Sequence, residues 1–174
     1  MKTRTIAKLH SFRVPQRGGS AQHSEYGRTR KGVAFCSSCG NVYHHKEWHR
    51  RSSRVLAQAK RNGQAITKTL CPACSLVGKR MFEGELVLRN LPAAIEEEVL
   101  RLVRGFGARA LRRDSQHRII AIEHLKGVWR ITTTENQLAI RLAKKIRDTF
   151  KRATLAISHS REPFEVGRVN MVFS

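Results

Sequence analysis

The sequence predicts an α+β protein in three parts: a basic disordered tail over residues 1–35, a four-cysteine ribbon with an inserted helix over 36–82, and a two-helix antiparallel α/β layer over 83–174. Three observations carry this. The 174 residues hold 34 Lys or Arg against 13 Asp or Glu, a formal charge of +21, and residues 1–62 alone hold 14 basic and 2 acidic side chains. All four cysteines fall in two C-x-x-C pairs, Cys36-Ser-Ser-Cys39 and Cys71-Pro-Ala-Cys74. From residue 83 onward, apolar residues recur at strand and helix periods. The 40% hydrophobic content is enough to fold one full domain or two small ones. No run reaches the ~18–20 apolar residues of a membrane-spanning helix, and no apolar segment follows the basic start. The expectation is therefore a protein of the cytoplasm or an organellar matrix, with no membrane partner and no small-molecule substrate. So large a positive charge calls for a polyanion, and nucleic acid is the default.

The tail comes first. Lys2, Arg4, Lys8, Arg13, Arg17, Arg28, Arg30 and Lys31 are scattered among Pro15 and four glycines, with Glu25 the only acid in residues 1–35. Such a segment buries too little apolar surface to offset its ordering entropy, so it is expected to order only against RNA phosphates. An acid-free run over 1–24 also fits a transit peptide, against which the Gly18-Gly19 pair and a weak amphipathic pattern count.

Next stand the cysteines. A C-x-x-C turn aims two thiolates at one centre, and two such turns supply the tetrahedral sulfur set of a structural zinc. Cys36, Cys39, Cys71 and Cys74 are the expected ligands of one Zn²⁺. Gly40 and Pro72 suit the tight turns of two zinc knuckles. Two disulfides suit a secreted chain better, and a thioredoxin-like redox pair needs a strand-to-helix junction, which neither motif is expected to have.

The spacer between the pairs is 31 residues long and should hold an element of its own. A helix is expected over 46–61, with Trp48, Val55, Leu56 and Ala59 in one stripe and Asn62-Gly63 as its stop. Lys46, Arg50, Arg51, Arg54, Lys60 and Arg61 surround that stripe as candidate phosphate contacts. Tyr43 and Trp48 are candidates for stacking on an unpaired base. His44, His45 and His49 raise the possibility of a zinc-framed nuclease, but the sequence after Cys74 lacks the Asn and His such a centre needs.

In the last part Glu85–Arg89 reads as a strand, and Pro92 opens a helix with Glu96, Glu97 and Glu98 early in it. Ile95, Val99, Leu102, Val103 and Phe106 form its buried stripe, and Gly105 and Gly107 are expected to stop it. Residues 108–113 and 118–123 are expected to pair as a hairpin about Asp114–His117, with a further strand over 128–132 across Lys126-Gly127. A second helix should start where Thr132-x-x-Glu135 makes a capping-box pattern, with Thr133 or Thr134 equally able to serve as the cap. Leu138, Leu142, Ile146 and Phe150 form its inner stripe, while Arg141, Lys144, Lys145, Arg147, Lys151 and Arg152 face out. Strands over 153–158 and 166–173 close the chain. No nucleophile, base and oxyanion set and no Gly-rich phosphate loop is present in this half, so the expectation is a non-enzymatic binding scaffold.

Several of these segments, taken in order, resemble a known family. Cys71-Pro-Ala-Cys74-Ser followed by Met81-Phe-Glu-Gly-Glu-Leu-Val-Leu-Arg89 is similar to the junction after the last zinc knuckle in the large-ribosomal-subunit export adaptor family, which is named for nonsense-mediated decay but works in ribosome assembly. Ile95-Glu-Glu-Glu-Val-Leu100, Glu123-His-Leu-Lys-Gly-Val-Trp129 and the segment from Thr134 to Phe150 resemble its later elements. The likeness runs over residues 71–173, and more loosely over 36–70. Leu76 stands where the family has Arg, Val128 replaces its second glycine, and only two of its C-x-x-C pairs are visible. The family's later domains and export signal have no counterpart here, so nuclear export is not implied. The resemblance implies a ribosome-associated protein that binds large-subunit ribosomal RNA on the intersubunit side near the tRNA sites, with ribosomal proteins as further contacts. Its role would be in assembly or in idle, hibernating ribosomes. The main alternative is a DNA-binding or transcription-associated zinc-ribbon protein; an integral organellar ribosomal protein and the nuclease are lesser ones.

Overall fold

The computed structural model describes residues 32–160 and 166–174, and these described residues form a mixed α+β fold with two sheets and four helices. The tail residues Lys2, Arg4, Lys8, Arg13, Arg17, Arg28, Arg30 and Lys31 lie outside the described residues.

The first sheet is built from β1 (Val33–Cys36), β2 (Val42–His44), β3 (Glu47–His49) and β4 (Ile66–Thr69), in the order β3-β2-β1-β4. β1 and β4 run parallel, and α1 (Ser53–Arg61) lies in the crossover between them. Its small core is Val33, Val42 and Ala59, with Phe35, Val55, Leu56 and Ile66 packed around them. The helix expected over 46–61 is thus shorter. His45 and Lys46 both have positive φ (52° and 69°), the two-residue turn that matches strand twist, so residues 47–49 return as a strand. The helix starts only where Ser52 Oγ accepts the Val55 N–H at 3.3 Å. Trp48 consequently sits on β3 and not on the helical stripe.

After α2 (Pro72–Gly78), the second sheet takes β5 (Gly84–Arg89), β6 (Ile119–Leu125), β7 (Val128–Thr133), β8 (Ala153–Ser160) and β9 (Val166–Phe173) in the order β6-β7-β5-β9-β8. The expected all-antiparallel layer is corrected to a mixed one, since β5 and β9 are parallel. α3 (Ala93–Arg113) and α4 (Asn136–Phe150) cover one face. Leu86, Leu88, Ile131, Val169 and Met171 from the strands meet Val99, Val103, Leu142 and Ile146 from the helices, all fully buried.

α3 does not stop at Gly105 and Gly107. It continues to Arg113, so the strand expected over 108–113 is helical and β6 pairs with β7 instead. Gly107 is a packing residue: a Cβ there would lie 2.6 Å from Ile119 Cδ1 of β6. The cap of α4 also differs. Glu135 is the N-cap, its carboxylate accepting the Gln137 N–H at 2.9 Å. The threonines are engaged elsewhere, Thr133 Oγ1 donating to the Glu135 carbonyl (2.7 Å) and Thr134 Oγ1 to that of Gln116 (2.6 Å). Pro92 occupies the N-cap of α3, one position earlier than expected.

Candidate metal centre

The first cysteine pair sits on the turn from β1 to β2. Gly40, at φ 76°, takes the left-handed conformation that lets its N–H donate to the Cys36 carbonyl at 3.0 Å, while the Cys36 N–H reaches the Asn41 carbonyl at 2.7 Å. This curls Cys36 and Cys39 around one point. The second pair is not a second knuckle. Cys71 is the N-cap of α2 and Pro72 occupies its first turn, where a missing N–H costs nothing, so Cys71 and Cys74 stand on a strand-to-helix junction after β4. That junction, which the sequence did not reveal, is the setting a redox pair needs, yet here it delivers both thiols to the first pair.

The four Sγ atoms lie within 4.8 Å of one another, and Cys39 Sγ and Cys71 Sγ are 3.7 Å apart. A tetrahedron with metal–sulfur bonds of ~2.3 Å puts its sulfurs about 3.8 Å apart. The donor set and spacing therefore fit one four-coordinate metal ion. All four cysteines are free thiols; three are buried and Cys39 is half-buried.

The electrostatics favour the thiolate at Cys36 and oppose it at Cys39 and Cys71. Burial alone would raise the Cys36 thiol, but hydrogen bonds from the backbone at Cys39, Cys71 and Ser38 outweigh it and bring it down to about 6. The Cys71 N–H, 3.3 Å from Cys36 Sγ, is one of these donors. Burial pushes Cys39 and Cys71 up, and for Cys71 the neighbouring Cys74 and Cys39 add to it. Four close thiolates repel each other unless a cation joins them.

One cation is already there. Arg118, on the loop into β6, aims its guanidinium at the cluster, Nη1 donating to Cys74 Sγ at 3.3 Å, while Nη2 lies 4.0 Å from Cys71 Sγ and Nε donates to the Ser115 carbonyl at 3.0 Å. Burial would lower its pKa; hydrogen bonding to Cys39 and the charge of Cys74 more than reverse this. Beside it, Gln116 Oε1 accepts the Ala73 N–H at 3.1 Å. Sequence reasoning missed both residues. They lie more than 40 positions from the residues of the cysteine cluster and α2 that they touch, in a stretch expected to be a hairpin, and one arginine among 34 basic residues has no local signature.

The other expected site residues are spread out. Lys46 is on the β2–β3 turn, Arg50 and Arg51 follow β3, and Arg54, Lys60 and Arg61 are on α1; all six are exposed. They belong to one sheet-and-helix unit but not to one helix. Tyr43 and Trp48 are a half-buried cross-strand pair with ring centroids 5.4 Å apart, and Trp48 also packs against the cysteine cluster. His49 Nε2 is 3.1 Å from the His44 carbonyl oxygen, and the His44 and His45 rings are 3.8 Å apart. None of the three histidines is among the residues of the metal cluster.

No known protein family, curated protein or solved structure matches the chain. The likeness to the export adaptor family rests on the sequence motifs alone.

Proposed function

We propose that this is a non-enzymatic zinc-ribbon protein that binds large-subunit ribosomal RNA, acting in assembly or in idle ribosomes. The observation that carries the reading is the closeness of the four sulfurs, 3.7 Å between those of Cys39 and Cys71 and within 4.8 Å for all, set in a chain of charge +21. Four thiolates complete a closed tetrahedron with no open position for substrate, which is the chemistry of a structural zinc. Cys36, Cys39, Cys71 and Cys74 would hold the ion, which would crosslink β1, the β1–β2 turn and α2. Exposed Arg54, Lys60 and Arg61 on α1, with Lys46, Arg50 and Arg51 before it, would then meet phosphate from a rigid support. The ribosomal assignment rests on the order of the motifs described above.

Two measurements test this. Elemental analysis of the purified chain should give one zinc per molecule; iron in its place, with visible thiolate-to-metal absorption, would overturn the zinc assignment. In sucrose gradients of a lysate the protein should travel with large subunits and leave them in a salt wash, because phosphate contacts weaken steeply with salt. Migration with DNA that persists after RNase would instead establish the transcription-associated alternative.

A further inference from the structure

The open face of the second sheet is the obvious surface for a polyanion, and its charges argue against it. Side chains alternating to that face include Glu85, Arg130, Arg168 and Glu123, and these neutralise each other. Arg130 Nε donates to Glu85 at 2.6 Å and Nη1 to Glu123 at 3.2 Å, while Arg168 Nε lies 3.3 Å from the second Glu85 oxygen. No strand position on this face is aromatic, and the ring beside it, Phe82, is already covered by the Arg130 guanidinium at 4.9 Å from its centroid.

The helical face behaves in the opposite way. Arg101, Arg109, Arg112 and Arg113 of α3 and Lys144 and Lys145 of α4 are exposed, and none makes an ion pair among the described residues. Between the two helices runs a cleft of about 260 Å³, lined by Arg109, Arg113 and Arg141 with His117 at its end and Phe106 and Leu138 in its floor. Arg109 and Arg113 are one turn apart on the same side of α3. Arg141 is held by Glu135 at 3.6 Å and by donating Nε to the Gln137 carbonyl at 3.3 Å, which orients it. Asp114, the acid in the cleft lining, is engaged by His117 at 3.4 Å. Three arginines against the one carboxylate of Asp114 leave the lining of the concavity with an excess of positive charge, and guanidinium is the group best matched to phosphate oxygens.

We propose that the α3–α4 cleft is a phosphate-binding site for the RNA backbone, separate from the basic surface of the first unit. It rests on the RNA-binding function proposed above and names a surface for it. Arg109, Arg113 and Arg141 take the phosphate oxygens, and the apolar floor takes the edge of the adjoining sugar. With one basic surface on α1 and another on α3 and α4, the chain can join two segments of RNA.

The test uses the full, metal-loaded chain and a fluorescein-labelled RNA hairpin, with affinity followed by anisotropy across a salt series. Replacing the three arginines together (R109Q, R113Q, R141Q) is expected to lower the slope of log K against log salt by about 2 to 3, since each lost phosphate contact removes ~0.7–0.9. All three are exposed, so thermal melting should confirm that the fold is kept. The corresponding lysine variants should keep most of the slope, because a point charge still releases a counterion. An unchanged slope in the glutamine variant, beside a reduced slope when Arg54, Lys60 and Arg61 are replaced, overturns the cleft and leaves RNA binding intact. A wild-type chain that does not bind the hairpin overturns both. Loss of binding to phosphatidylserine vesicles with RNA binding unchanged overturns RNA as the occupant.

Discussion

Arg118 is the only guanidinium within reach of the cysteine sulfurs among the described residues, and it comes from the opposite unit. A tetrathiolate bound to a divalent ion keeps a net charge of −2, and in a buried site that excess is costly unless a cation shares it. Arg118→Gln is therefore expected to weaken metal binding by about 10–100-fold, as loss of an outer-shell partner usually does. Competition with a chromophoric chelator measures this directly, and equal affinities in variant and wild type would deny the role. Acidity acts on the same centre. Above pH 6 the Cys36 thiol, held down to about 6, is already charged, whereas Cys39 and Cys71 have raised pKa values and keep their protons at neutrality. A metal must displace at least those two protons, so its affinity should fall by at least about two log units for each unit of pH below 7, and more steeply below about 6, where Cys36 takes up its proton as well. The same chelator competition, repeated at several pH values, gives the slope; a flat profile would contradict it. Nothing in the residues near position 118 announces this partnership, because it depends on how two distant segments fold together.

Glycines separate what the sequence shows of the elements from what it hides. In isolation Gly105 and Gly107 resemble a helix stop, and only the facing Ile119 shows why α3 passes through them. Gly105 has room: a Cβ there meets only Arg109 Nη1, the free end of a long side chain, at 3.3 Å. Gly105→Ala should accordingly stabilise the protein by ~0.5–1 kcal/mol through helix propensity, provided α3 is continuous. Gly84 is the reverse case. Its Cβ would lie 2.7 Å from the Glu135 carbonyl oxygen and 2.9 Å from Ala139 Cβ, where the backbone of the α4 N-terminus has no room to give. Gly84→Ala should cost about 1–3 kcal/mol, the range for overpacking. Urea denaturation of both variants checks the pair; a destabilising Gly105→Ala would mean that α3 is broken there. Elements set by their own periodicity, such as β5 and the Leu138, Leu142, Ile146 stripe of α4, were legible from the residues alone. The β2–β3 hairpin was not, since His45-Lys46 lacks the Asn-Gly signature of its turn and the basic run beyond it imitates a helix.

At the scale of the molecule, the two units depend on the metal to different degrees. The first buries only small and medium apolar side chains, Val33, Ala34, Val42 and Ala59, with Phe35, Val55, Leu56 and Ile66 half-buried around them, beside the cysteine cluster. The second has a continuous core that joins both of its helices and all five of its strands through Leu86, Val99, Ile122, Ile131, Leu142, Leu155, Met171 and their neighbours. The two fully buried valines contribute ~1.5–3 kcal/mol each and the alanines and half-buried side chains less apiece, whereas a structural zinc contributes ~10–16 kcal/mol of binding energy to folding. Removing the ion should unfold the first unit and leave the second standing. The two tryptophans are placed to tell these events apart: Trp48 packs on the cysteines and Trp129 on the second core. In Trp129→Phe, whose emission comes from Trp48, a high-affinity zinc chelator should shift the emission to the red as the ring meets water. In Trp48→Phe, Trp129 should hold its emission under the same treatment, and urea should then unfold it in a separate, later transition. Simultaneous loss of both signals would show that Arg118 and Gln116, the bonds from the 115–118 loop to α2, couple the units tightly enough to unfold as one.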